Sequence, residues 1–117
     1  MKKIALLIGI LITFSNCESF FVEDISDEEI VVLGPLNAVE LSPGTIRFNW
    51  KEISGADAYE IEIVAPSFLA PTQIVVSREI NTTVFEVALE AGDYEWRVRG
   101  INTEHATPYK TNRLKIN

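Results

Sequence analysis

One thiol and one imidazole bound the covalent chemistry open to this 117-residue chain. Cys17 stands directly behind an apolar run. His105 lies far downstream, in a segment (Thr103 to Tyr109) that has no serine or cysteine motif beside it. A Ser-His-Asp or Cys-His arrangement therefore has too few parts. Carboxylates are plentiful, at 17 Asp and Glu, so close pairs arise by number alone and do not single out a hydrolytic pair. No His or Cys cluster suits a transition metal, and the acidic run Glu18 to Glu29 lacks the glycine-bearing loop of a calcium site. The inventory predicts no catalysis, no metal and no cofactor. What remains is recognition, with two groups of candidates. Glu60 and Glu62 alternate along one stretch and Arg97 and Arg99 along another, while Asp57, His105 and Tyr109 fall in connecting loops.

The elements that must position these residues begin after a segregated N-terminus. Lys2 and Lys3 precede Ile4 to Phe14 (IALLIGILITF), an apolar run too short to span a bilayer, which needs about 20 residues. It reads as a signal peptide over residues 1–16. The chain's only cysteine then stands where a peptidase would cut. Ser15-Asn16-Cys17 resembles a bacterial lipobox, whose cysteine takes a diacylglyceryl group and becomes the new N-terminus. Phe14 and Asn16 depart from the Leu and small residue usual in that motif. An unpaired thiol in an exported chain is otherwise an oxidation liability. Loss of residues 1–16 removes two cations and leaves eight Lys and Arg against 17 acids. A surface so acidic repels phosphate backbones, which argues against a nucleic-acid partner.

Residues 17–33 read as a lipidated cysteine and an acidic linker. Glu18, Glu23, Asp24, Asp27, Glu28 and Glu29 crowd a stretch without periodicity, which predicts an extended, solvated tether. Phe20 and Phe21 are out of character in a tether, and composition does not assign them to the domain or to headgroups. Acidic residues soon after the cysteine resemble the signal that sends Bacteroidota lipoproteins to the outer leaflet of the outer membrane. That resemblance implies a surface-exposed, lipid-anchored protein, with the periplasmic leaflet as the alternative.

From Val31 on, short apolar alternations are separated by turn residues, the pattern of an all-β sandwich. The first strand lies within Val31 to Leu41 and is interrupted at Gly34-Pro35. Thr45 to Trp50 points Ile46, Phe48 and Trp50 one way. Ala58 to Val64 points Tyr59, Ile61 and Ile63 inward and Glu60 and Glu62 outward. Gln73 to Ile80 and Val84 to Leu89 follow, the latter with apolar residues on both faces and no core face assigned. In Ala91 to Asn102, Tyr94, Trp96, Val98 and Gly100 alternate with Glu95, Arg97, Arg99 and Ile101, which makes it a central strand. Thr111 to Ile116 closes the sheet through Leu114 and Ile116.

Trp50, AYEIEIV (Ala58 to Val64) and LEAGDYEWRVRGIN (Leu89 to Asn102) resemble a fibronectin type III domain, an immunoglobulin-like sandwich of about seven strands. The likeness places the domain at residues 34–117 and extends to short single-domain Bacteroidota lipoproteins. It implies that the Tyr94 hydroxyl bonds back to the preceding loop beside Leu89, and that Gly100 stands where alanine is usual. It also implies that the third and sixth strands are neighbours, so that Glu60 and Glu62 share a face with Arg97 and Arg99. The expectation is a membrane-anchored, non-catalytic module that binds a glycan or an envelope protein. The alternative is a structural accessory or spacer without a soluble ligand.

Overall fold

The computed structural model describes residues 21–117. The signal peptide, Cys17 and Phe20 lie outside the described residues. Eight strands follow in order: β1 (Val32–Gly34), β2 (Val39–Leu41), β3 (Gly44–Trp50), β4 (Ala58–Ala65), β5 (Gln73–Ile80), β6 (Val84–Leu89), β7 (Gly92–Ile101) and β8 (Lys110–Ile116). They form a three-stranded sheet, β1-β3-β6, and a five-stranded sheet, β2-β8-β7-β4-β5. The expected first strand is split between the two. Pro35 interrupts the run, β1 pairs antiparallel with β3, and β2 crosses over to pair parallel with β8.

Alternation with a period of two builds the core, because each strand turns one face inward. Ile46, Phe48 and Trp50 from β3 meet Tyr59, Ile61 and Ile63 from β4, Tyr94, Trp96 and Val98 from β7, and Leu114 and Ile116 from β8. Trp96 and Phe48 are fully buried and meet edge to face at 4.8 Å, while Trp50 meets Tyr59 at 5.7 Å. Both indole N–H groups lie buried without an acceptor among the described residues. Each costs about 1–3 kcal/mol, which the apolar area of two indoles offsets. On β6, Leu89 faces the core, with Phe85 and Val87 packed at its margin.

The Tyr94 hydroxyl donates to Glu90 O at 2.8 Å, as the resemblance implied. The Tyr59 hydroxyl accepts from Ile53 N–H at 2.9 Å and holds the loop after β3. Gly100 is buried, and a Cβ there would meet Ala56, Tyr59 and Thr107 at 3.4–3.6 Å, which is ordinary contact. Gly100→Ala is therefore expected to raise stability by about 0.5–1 kcal/mol through reduced unfolded-state freedom. A urea titration checks this, and a loss of stability would show the site to be tighter than it looks.

The acidic segment departs from its expected form. Ile25 is 0% and Ile30 4% exposed, and both belong to the core cluster. Asn102 Nδ2 donates to Glu23 O at 2.8 Å and to Gly55 O at 3.0 Å, tying three segments together. Gly55 has φ +94, and a Cβ there would fall 2.9 Å from Ile25 Cγ2, so the segment lies directly against the backbone of the β3–β4 loop. Residues 23–30 thus pack on the domain and are not the extended, solvated stretch expected of them. Burying two isoleucines outweighs the solvation preference of the neighbouring carboxylates, since Glu23, Asp24, Asp27, Glu28 and Glu29 remain exposed.

Candidate functional site: the exposed face of the five-stranded sheet

Register decides which charged residues meet. β4 and β7 pair antiparallel with Glu60 opposite Arg99 and Glu62 opposite Arg97. Directly opposed residues project to the same side of a sheet. The inward faces of both strands are apolar, so these four side chains rise on the outer face. Arg97 Nε donates to Glu62 Oε1 at 2.6 Å, and Arg99 Nε donates to Glu60 Oε1 at 2.6 Å. The four side chains are 29–33% exposed. At that solvation each pair contributes about 0.2–1 kcal/mol, and the firmer consequence is that both arginines are held in one orientation.

The loop candidates divide. Asp57 is exposed, and its N–H donates to Ile101 O at 2.8 Å. His105 Nδ1 lies 3.3 Å from Asp24 Oδ1, so the imidazole faces the chain's own N-terminal segment. The Asp24 carboxyl is held below its ordinary value by hydrogen bonds from the Ser26 side chain and backbone, with a smaller contribution from His105.

Tyr109 does not join those two residues at the end of the sandwich. Its ring centroid is 4.3 Å from Arg97 Cζ and 4.6 Å from Arg99 Cζ. It also lines a groove with Glu60, Glu62, Ser77 and Glu79 of β4 and β5. Tyr109 precedes β8, on the far side of β7 from that groove, so the side chain must cross over β7 to reach it. The ring therefore lies across the two arginines. Burial, opposed first by Arg99 and then reinforced by Glu62 and Glu60, pushes the phenol above its ordinary value of 10. The hydroxyl stays protonated throughout the neutral range.

Sequence reasoning missed Phe68. It lies in the β4–β5 loop, and its ring centroid is also 4.3 Å from Arg97 Cζ. The loop is fixed there by Phe68 N–H donating to Glu95 Oε1 at 2.7 Å. Cation–π contacts of this kind contribute about 0.5–1 kcal/mol where solvent reaches them. No periodic signal marks Phe68, since it sits between two prolines in an irregular stretch. The outer face thus carries a fixed strip in which two aromatic rings, two guanidinium groups and two carboxylates interlock. Among the described residues, no group of three or more His, Cys, Asp or Glu side chains is placed to hold a metal ion.

By sequence, the chain matches no family model and no curated protein. Its backbone does match solved structures. The crystal structure of FN3tt superposes with a TM-score of 0.53 at 17% identity, over 77% of this chain and 90% of that one. The fn3 domain of the human collagen alpha-1(XX) chain gives 0.56 at 17% identity, over 75% and 86%. A fibronectin(III)-like module of Clostridium thermocellum CbhA gives 0.54 at 10% identity, over 76% and 96%. The fold is that of a fibronectin type III domain. Within that fibronectin type III frame, Tyr94 and Leu89 occupy the corner the resemblance assigned them, and the outer strip is built on the larger sheet.

Proposed function

We propose that this protein is a lipid-anchored, non-catalytic binding module of the cell envelope, held at the outer membrane and exposed at the surface, with the strip on its larger sheet as the contact surface. The observation that carries this is the fixed arrangement of Arg97, Arg99 and Tyr109. A charge ladder that served only register would leave the arginines solvated on either side. Here Tyr109 and Phe68 pack onto them, and a surface ordered before contact loses less entropy on binding.

The test is capture from detergent-solubilised envelope by the immobilised full-length protein. The native protein is expected to retain an envelope glycan or protein. The variant with both Arg97→Ala and Arg99→Ala is expected to lose it while circular dichroism at the capture temperature shows that the sandwich persists. Retention unchanged in the double variant would remove the strip from the function.

A structural accessory role is the second reading, favoured by the tip of the β4–β5 loop. Leu69 in that loop is 97% exposed, and Ile74 at the start of β5 is 69% exposed, which together make an apolar projection. In that case one envelope protein is captured at a one-to-one ratio, the double arginine variant still holds it, and Leu69→Glu releases it.

A further inference from the structure

We infer that the groove between Tyr109 and β5 is a subsite for one sugar ring of a neutral glycan. The assignment rests on the strip being a contact surface and names the chemistry it selects. Glu60 and Glu62 form the floor, Tyr109 one wall, and Ser77 and Glu79 of the edge strand the other.

The hydrogen-bond inventory of this groove is dominated by acceptors. Each floor carboxylate gives Oε1 to an arginine at 2.6 Å, and a carboxylate has about four lone-pair sites, so acceptor capacity remains. The Ser77 hydroxyl and the Glu79 carboxylate are exposed and line the same groove. The groove thus offers chiefly carboxylate acceptors, with the Ser77 and Tyr109 hydroxyls able to donate or accept, and suits a ligand rich in hydroxyl groups. Its wall is the phenol of Tyr109, whose ring covers the two guanidinium groups with one face and leaves the other to take the weakly positive C–H edge of a ligand.

Three ligand charges can be weighed. An anion meets the three carboxylates of Glu60, Glu62 and Glu79; Arg97 and Arg99 are engaged by two of them, and Arg78, which also lines the groove, has its guanidinium over the Phe85 ring at 5.9 Å. A cation must compete with Arg97 and Arg99 for the same carboxylates and approach the two guanidinium groups beneath Tyr109. A neutral polyhydroxylated ring does neither. Its hydroxyls donate to the free lone pairs without breaking an ion pair, and its C–H face lies on the phenol ring. Glu60 and Glu62 are two residues apart on one strand, about 6.8 Å, which is the scale of a single sugar ring. The groove is open at the β5 edge, where no further strand follows, so a chain of sugars runs on past the ring that is held.

Affinity electrophoresis of the full-length protein in non-ionic detergent tests this, with dextran, galactomannan and xyloglucan as neutral probes and polygalacturonate and poly-lysine as charged ones. The native protein is expected to be retarded by at least one neutral polymer, with a dissociation constant of about 1 mM per site, and by neither charged polymer. Tyr109→Ala is expected to weaken that retardation about tenfold, and Tyr109→Phe, which keeps the ring, to retain most of it. Circular dichroism of both variants shows that the sandwich persists. Retardation by none of the neutral polymers, retardation that Tyr109→Ala leaves unchanged, or binding to poly-lysine instead would each overturn the assignment. A Cys17→Ser protein run beside the native one separates the anchor from the ligand, because its mobility shift depends on the groove and not on lipid.

Discussion

Ile25→Ala is expected to destabilise the domain by about 2–5 kcal/mol, or roughly 8 °C or more in melting temperature for a domain of this size. The residue lies in the acidic run that composition marks as tether, yet its side chain is fully buried in the core cluster. Truncation removes three carbons from a packed site and leaves a cavity against the backbone of Gly55, which cannot move in to fill it. A domain is stable by only about 5–15 kcal/mol, so this one change takes a large share. Asp27→Ala, two residues along and exposed, is the control and should shift stability by less than about 0.5 kcal/mol. Gly55→Ala probes the same contact from the opposite side, since it adds both a strained φ of +94 and a Cβ 2.9 Å from Ile25 Cγ2. A urea titration in which Ile25→Ala behaves like Asp27→Ala would show that the segment does not pack as described.

Cys17→Ser is expected to move the protein from the membrane fraction to the soluble fraction. Cys17 stands three residues after the apolar run Ile4 to Phe14, where a lipid-transferring enzyme would meet it. Each buried CH₂ contributes about 0.8 kcal/mol, and two acyl chains already hold a protein durably. Without the thiol there is nothing to alkylate, and the domain's outward-facing charges supply no substitute. Mass spectrometry of the native N-terminus should find an acylated Cys17. Envelope fractionation that is the same for both proteins, together with an unacylated native N-terminus, would overturn the anchored reading.

The fold was legible wherever one face of a strand is buried and the other is wet. Trp50, Trp96 and their alternating neighbours announce β3 and β7 because a strand with a dry face and a charged face has only one way to sit. β6 was legible as a strand but not in orientation. Val84, Phe85, Val87 and Ala88 put apolar groups on both faces, and only the pairing with β3 turns Phe85, Val87 and Leu89 inward. The crossing of β2 to β8 is a long-range parallel pairing with no local mark beyond Pro35.

The site was half legible. The opposition of Glu60 and Glu62 to Arg97 and Arg99 followed once the strand order was known, since register is a matter of counting. Tyr109 was assigned to a loop end because a lone aromatic before a strand carries no sign of direction. What aims it over the sheet is the pair of arginines, whose own positions depend on β4 and β7 meeting. Ile25 and Ile30 were hidden for a similar reason. Two isoleucines five residues apart among carboxylates show neither helical nor strand period, and the glycine and asparagine that receive the segment lie at residues 55 and 102.

The docking of Ile25 beside Gly55 and Asn102 gives the molecule a stern and a bow. An acylated Cys17 would be moored eight residues upstream, a leash of at most about 28 Å, at the pole that carries Asp57 and His105. Those two residues would then look down at the lipid. The ten-residue span of β7, about 33 Å, carries the opposite pole outboard. Leu69 crowns that pole, with the Tyr109 groove along the flank below it, so on the proposed anchored reading a visitor arriving from outside would meet the leucine first and the groove second.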